Sequence, residues 1–95
     1  VALATDYNPG TSPSGYMPLV LTMATVGMRM LPEEALAAAT LNGAYAMGLT
    51  DRGTISVGAR ADLALLKPMN SVAYLPYSFG ENCIQGMILG GKPIV

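Results

Sequence analysis

Val1-Ala2-Leu3-Ala4-Thr5-Asp6-Tyr7-Asn8-Pro9-Gly10 opens the chain, and its reading decides the fold. An uncharged run with no alternation, closed by a polar residue and a turn, suits a buried parallel strand. The run is too short for periodicity to tell strand from helix. Asn8-Pro9-Gly10 is a strong turn signal, and Thr11-Ser12-Pro13-Ser14-Gly15 continues as a loop. Asp6 then stands where a buried strand meets a loop, the end at which parallel α/β proteins bind ligands. A carboxylate there can coordinate a metal ion or act as a base toward a bound water. It can equally form an Asx-type turn, bonding backbone amides ahead of Pro9. Asn8, Gly10 and Thr11 bring an amide, a bare backbone and a hydroxyl close together, a set able to hold a carboxylate or a polar ring. The same residues make ordinary turns, so both readings stay open on the residues alone.

Downstream, Tyr16 to Met30 reads as a helix with Pro18 tolerated in its first turn. Leu19, Met23, Val26 and Met30 form one stripe, but Met17, Val20, Leu21 and Met28 fill the other faces. A helix apolar nearly all round is a buried one. Pro32 forces a break and starts a second helix, with Glu33 and Glu34 at the positive end of its dipole. Glu33 and Glu34 are no catalytic pair, since adjacent helix positions point apart. Ala35-Leu36-Ala37-Ala38-Ala39 has high helix propensity, and the stripe Leu36, Ala39, Gly43, Met47 carries this helix to a cap at Gly48. Leu31 is a poor N-cap.

From Asp51 the pattern turns to β. Arg52 to Val57 partly alternates, Gly58 to Asp62 is a turn, and Leu63-Ala64-Leu65-Leu66 is an apolar strand ending near Pro68. Met69 to Gly80 reads as irregular. Cys83 to Leu89 is a further strand, Gly90-Gly91 a hairpin turn, and Lys92-Pro93-Ile94-Val95 the return strand, with Pro93 favouring an edge. Asp62 and Arg60 are placed to order the hairpin. The methionines read as core filler.

Composition bounds the function. The 95 residues carry a net charge of -1, and only 12% are charged although 52% are apolar. A typical soluble domain has roughly 25% charged residues, so this chain either associates or was cut from something larger; a first residue that is Val and not Met points the same way. The chain is too apolar for disorder. Its scattered cations form no nucleic-acid stripe. Its longest apolar stretch is short for a membrane span, and there is no signal peptide pattern. One cysteine, Cys83, excludes a disulfide scaffold and fits a reducing cytoplasm. With no histidine, this chain alone cannot build Ser-His, Cys-His or His-metal chemistry.

Thr5-Asp6-Tyr7-Asn8-Pro9-Gly10-Thr11-Ser12-Pro13-Ser14 closely resembles the metal-binding loop of imidazolonepropionases, members of the amidohydrolase superfamily. Pro32-Glu33-Glu34-Ala35-Leu36, Ala39-Thr40-Leu41-Asn42 and Gly48-Leu49 resemble the superfamily's following helix. Gly53-Thr54-Ile55-Ser56-Val57-Gly58 with Ala61-Asp62-Leu63 resembles its return into a small β domain. Tyr74-Leu75-Pro76-Tyr77 with Phe79-Gly80 and Asn82 is more specific to imidazolonepropionases. Two positions depart from the pattern: Ser78 stands where the family often has His, and Leu31 where the N-cap is often Thr.

The resemblance implies an α/β parent, a (β/α)8 metal-dependent hydrolase barrel with a β-sandwich. Within it this fragment is α+β: a strand, two helices, then short antiparallel strands. Residues 1–50 would complete the C-terminal end of the barrel, which would cover the apolar helix; residues 51–95 would belong to the sandwich, pairing with strands from the other end of the parent. The implied reaction is hydrolysis of 4-imidazolone-5-propanoate to N-formimidoyl-L-glutamate in histidine degradation, using a zinc or iron ion. Asp6 matches the metal-binding aspartate and would accept the proton of the attacking water. Asn8, Gly10 and Thr11 match substrate contacts. The implied partners are this small molecule and the rest of the barrel, with a homodimer left open. A single carboxylate cannot complete a catalytic metal site, so the fragment alone is expected to be inactive. Two other readings are another amidohydrolase, such as a deaminase or cyclic amidase, and a small oligomerising module that hides the Tyr16 to Met30 helix at an interface.

Overall fold

The computed structural model describes residues 1–12, 14–78 and 81–94. The parts of the expected loop, aromatic segment and return strand that fall on Pro13, Phe79, Gly80 and Val95 lie outside them. Helix α1 runs Met17–Gly27, with Tyr16 as N-cap and Pro18 in the first turn. It stops short of the expected Met30. Gly27 is a poor helix former, Arg29 adopts a left-handed φ of 58°, and the Met28 and Met30 amides both donate to Ala24 O at 3.2 and 3.1 Å. The expected stripe is also corrected. Leu21, Thr22 and Ala24 are the buried positions, while Met23 and Val26 are 52% and 78% exposed. Within this chain only one side of α1 finds a cover.

The single helix expected after Pro32 is two: α2, Pro32–Ala39, and α3, Leu41–Ala46. The break is Thr40, at φ -116° and ψ -83°, whose Oγ1 donates to Leu36 O at 2.8 Å. Gly53 packs into this break at φ +100°: a Cβ there would lie 3.0 Å from Leu41 Cα and 3.1 Å from Thr40 O. At the start of α2, the Leu31 N–H donates to Glu34 Oε1 at 2.9 Å, which offsets the poor N-cap. The expected cap at Gly48 is present. Its N–H donates to Tyr45 O and the Leu49 N–H to Ala44 O, at 3.0 and 2.9 Å, the two bonds of a Schellman closure.

Val1 to Thr5 forms no strand. A parallel strand needs neighbours to bond, and the described residues offer none. The segment lies instead against α2 and α3, where the Leu3 N–H donates to Ala38 O at 3.0 Å and Asn42 Nδ2 to Val1 O at 2.7 Å. Arg52 to Val57 likewise forms no strand, and Ile55 is 91% exposed.

The sheet has three antiparallel strands in the order β1-β2-β3: Leu63–Leu66, Ile84–Leu89 and Lys92–Ile94. Pairing runs from Leu63↔Ile88 to Leu66↔Ile84, with a register shift between Leu65 and Leu66. Gly90 and Gly91 make the two-residue turn at φ 56° and 81°, values that suit the twist of a tight hairpin. Pro93 lies on the edge strand, as expected. Between β1 and β2, the segment expected to be irregular contains a one-turn helix, α4, Tyr74–Tyr77. Thr22 Oγ1 donates to Pro76 O at 2.8 Å and so joins α1 to α4.

The core is small. Leu21, Ala24, Ala35, Leu75 and Cys83 are buried together, with Leu3, Met30, Leu36, Ala39 and Met69 packed around them. Two of the buried five are alanines, so helices approach closely but bury little area. The fragment is mixed α+β, and among the described residues no helix is long and apolar enough to cross a membrane.

Candidate functional site

The loop after Thr5 is closed by its own polar groups. The Asn8 N–H donates to Ser12 O at 2.8 Å, forming an isolated antiparallel bridge. Asn8 Oδ1 accepts from the Gly10 and Thr11 N–H groups at 2.9 and 2.8 Å. Asn8 Nδ2 donates to Asp6 O at 2.6 Å, and the Thr11 hydroxyl lies 3.2 and 3.3 Å from the two polar atoms of the same amide. Ser12 Oγ donates to Thr5 O at 2.8 Å and draws the ends together. Gly10 must stay small here, because a Cβ would sit 3.2 Å from Asn8 Oδ1.

Asn8, Gly10 and Thr11, three of the sequence-predicted residues, are thus one hydrogen-bonded unit. Asp6 joins it through its backbone carbonyl only. Asp6 has a left-handed φ of 51° and is exposed, and among the described residues its carboxylate accepts no hydrogen bond and joins no ion pair. The turn that the sequence allowed to Asp6 is made by the Asn8 side chain, and the Asp6 carboxylate is left open. An open carboxylate on a bonded loop fits one position of a metal site. No group of three or more His, Cys, Asp or Glu side chains able to hold a metal ion occurs among the described residues. A catalytic zinc site takes about three protein ligands, so the described residues alone do not complete one.

A second polar cluster escaped the sequence reading. Glu81 Oε1 pairs with Lys67 Nζ at 3.0 Å, and Glu81 Oε2 accepts from the Tyr74 hydroxyl at 2.6 Å. The Tyr16 hydroxyl donates to the Glu81 backbone carbonyl. The Tyr74 hydrogen bond, then Lys67, holds the Glu81 carboxyl below its ordinary pKa, while Glu81 raises both partners. A cavity of about 710 Å³ adjoins this cluster, lined by Lys67, Met69, Tyr74, Tyr77 and Glu81; it does not reach the Asp6 loop. One signal was available: Glu81 is the only charged residue between Lys67 and Lys92.

Asp62 is bonded on all sides. It accepts from the Gly90 N–H at 2.8 Å and from Arg60 Nε at 2.8 and 2.9 Å, with Arg52 at 3.6 Å. The Gly90 amide first, and then the two arginines, hold its carboxyl below the ordinary value. This is the hairpin-ordering role expected for Asp62 and Arg60, with Arg52 added.

The sequence pattern of the Amidohydrolase family matches residues 1–82. The chain is 50% identical, over 99% of its length, to an imidazolonepropionase of Flavobacterium johnsoniae, of which it covers 23%. It is 50% identical to one of Christiangramia forsetii, with the same coverage. It is 47% identical over its whole length to one of Geobacillus thermodenitrificans, covering 22% of that protein. The chain therefore spans less than a quarter of the length of the curated relatives it matches.

Proposed function

Because this chain belongs to the amidohydrolase family, we propose that it is the C-terminal part of an imidazolonepropionase. The complete protein hydrolyses 4-imidazolone-5-propanoate to N-formimidoyl-L-glutamate in the cytoplasm. The observation that carries this reading is identity of 50% along 99% of the chain to proteins of that one activity. Residues 1–50 close a (β/α)8 barrel and residues 51–95 add to a β-sandwich. Two features support a missing barrel. Val1 to Thr5 has no strand partner among the described residues, and the outer face of α1 at Met23 and Val26 is uncovered.

Asp6 is the chain's contribution to the metal, zinc or iron, which when bound lowers the pKa of a water and makes hydroxide available near neutral pH. The Asp6 carboxylate also takes the proton of the attacking water. That role suits a group which the loop fixes through its backbone and leaves unbonded at its oxygens. Asn8, Gly10 and Thr11 orient the substrate's ring and propanoate. Preorganised donors and acceptors reduce the reorganisation needed at reaction, and the Asn8 amide already fixes the Thr11 hydroxyl and both neighbouring amides. Asp6→Asn in the complete, metal-loaded enzyme is the test. Turnover should be abolished while the fold, read by circular dichroism and melting, is unchanged. Near-normal turnover would remove Asp6 from the site. A panel of cyclic amides and deaminase substrates then checks the substrate class.

A further inference from the structure

The Asp6 loop is well bonded internally, but an internally bonded loop can still swing as a body. On one side the preceding segment is held to α2 and α3 through the Leu3 N–H and Asn42 Nδ2; on the other the hold comes from Tyr16. Tyr16, the N-cap of α1, receives no side-chain cap; its own N–H donates to Ser14 Oγ at 3.2 Å. Next to it, Gly15 faces the Tyr7 ring, since a Cβ on Gly15 would lie 3.8 Å from Tyr7 Cδ2. Tyr7 sits between Asp6 and Asn8. The far end of the Tyr16 side chain donates to the backbone carbonyl of Glu81. Glu81 is itself fixed twice, by Lys67 at the end of β1 and by Tyr74 at the start of α4. Lys67 is also tied through its backbone, its N–H donating to Cys83 O at 2.8 Å.

We propose that Tyr16 and Glu81 are positioning residues, a tether that fixes the Asp6–Thr11 loop to the small sheet beside Gly15, whose open face looks toward the Tyr7 ring. The inference rests on the functional reading given above. It assigns the Lys67–Glu81–Tyr74 cluster a purpose: these side chains hold the carbonyl that receives the Tyr16 hydroxyl and touch no substrate. A misplacement of about 1 Å at a reacting group can cost about a hundredfold in rate, so a tether of this kind acts on turnover without changing the chemistry.

The experiment uses the complete metal-loaded enzyme with Tyr16→Phe, which keeps the ring and removes only the hydroxyl, and Tyr74→Phe, which loosens Glu81 from outside. Tyr16→Phe should lower kcat/KM by roughly ten-fold, mostly in kcat, with melting temperature and bound metal unchanged. Tyr74→Phe should do the same to a smaller degree. Combining Tyr16→Phe with Thr11→Ala should cost less than the product of the single losses, because both act through one loop. Wild-type kcat/KM in Tyr16→Phe overturns the tether. So does a loss that tracks a fall in folded protein or metal content, or one that multiplies independently with Thr11→Ala. Asp6→Asn is assayed alongside. If it stays active, the functional reading has failed; if it is dead while Tyr16→Phe is normal, only the tether has.

Discussion

Asp6 and Asp62 are the same side chain put to opposite uses. Both lie at the edge of a turn in this small fold. Asp62 is enclosed by the Gly90 amide, Arg60 and Arg52. Asp6 holds its place through its backbone, while neighbouring Asn8 carries out the turn chemistry. A carboxylate that builds structure is bonded within its own chain. The metal-binding role proposed for Asp6 calls for oxygens left free, with the loop around it stabilised by other residues. The partners of Asp62 hold its carboxyl below its ordinary pKa.

The sharpest way to break the comparison is to exchange charge for amide at both places in the complete enzyme. Asp6→Asn should reduce kcat by at least about a thousandfold and leave the melting temperature within a degree or two. The scale is that of losing a group essential to charge stabilisation in the transition state. If the variant melts early, Asp6 is structural like Asp62 and the contrast collapses.

Gly53→Ala tests the corner that Asp62 supports. The left-handed φ and the 3.0–3.1 Å approach to Thr40 and Leu41 leave no room for a methyl group. A loss of about 1–3 kcal/mol of stability is expected from a residue forced into such a conformation. Denaturant unfolding measures it, and an unchanged midpoint would show that the break at Thr40 does not depend on Gly53. Thr11→Ala should raise KM by several-fold to roughly ten-fold, the scale of one polar substrate contact of about 1 kcal/mol. Metal content should not change; an equal loss of metal would move Thr11 from the substrate to the structure of the Asp6 loop.

The smallest effect is a pH dependence. Asp62 has a folded pKa below its ordinary 3.8, so its stabilising contribution is complete above that value and is lost as pH falls through the folded one. Asp62→Asn should therefore melt a few degrees early at neutral pH, and the gap should close in strong acid. A gap that persists in acid would mean that the Asp62 hydrogen bonds do not depend on its charge.

What the sequence made legible follows from how local each cause is. The Leu63–Leu66 strand, the Gly90-Gly91 turn, the Gly48 cap and the Asn8-Pro9-Gly10 turn each answer to chemistry within a few residues. The break at Thr40 does not, because it accommodates Gly53 from another part of the chain. Alternation in Arg52 to Val57 and the apolar run Val1 to Thr5 read as strands, but a strand exists only with a partner to bond, and neither segment forms one. The all-apolar surface of α1 was likewise read as burial, and this chain covers only the side with Leu21 and Ala24. For the candidate site, Asp6, Asn8, Gly10 and Thr11 were legible as one local loop motif, and the structure bonds the last three into a unit. Glu81 was not, since its partners lie 7, 14 and 65 residues away.

That last separation has a meaning in time. Bringing together two points 65 residues apart in an otherwise open chain costs about 4 kcal/mol of loop-closure entropy. One hydrogen bond contributes only about 1 kcal/mol in net terms. The bond between Tyr16 and Glu81 therefore cannot lead folding. It closes once the β1–β2 pairing and the packing of α1 on α4 have shortened the path, so the outer support of the Asp6 loop follows those contacts as the chain folds.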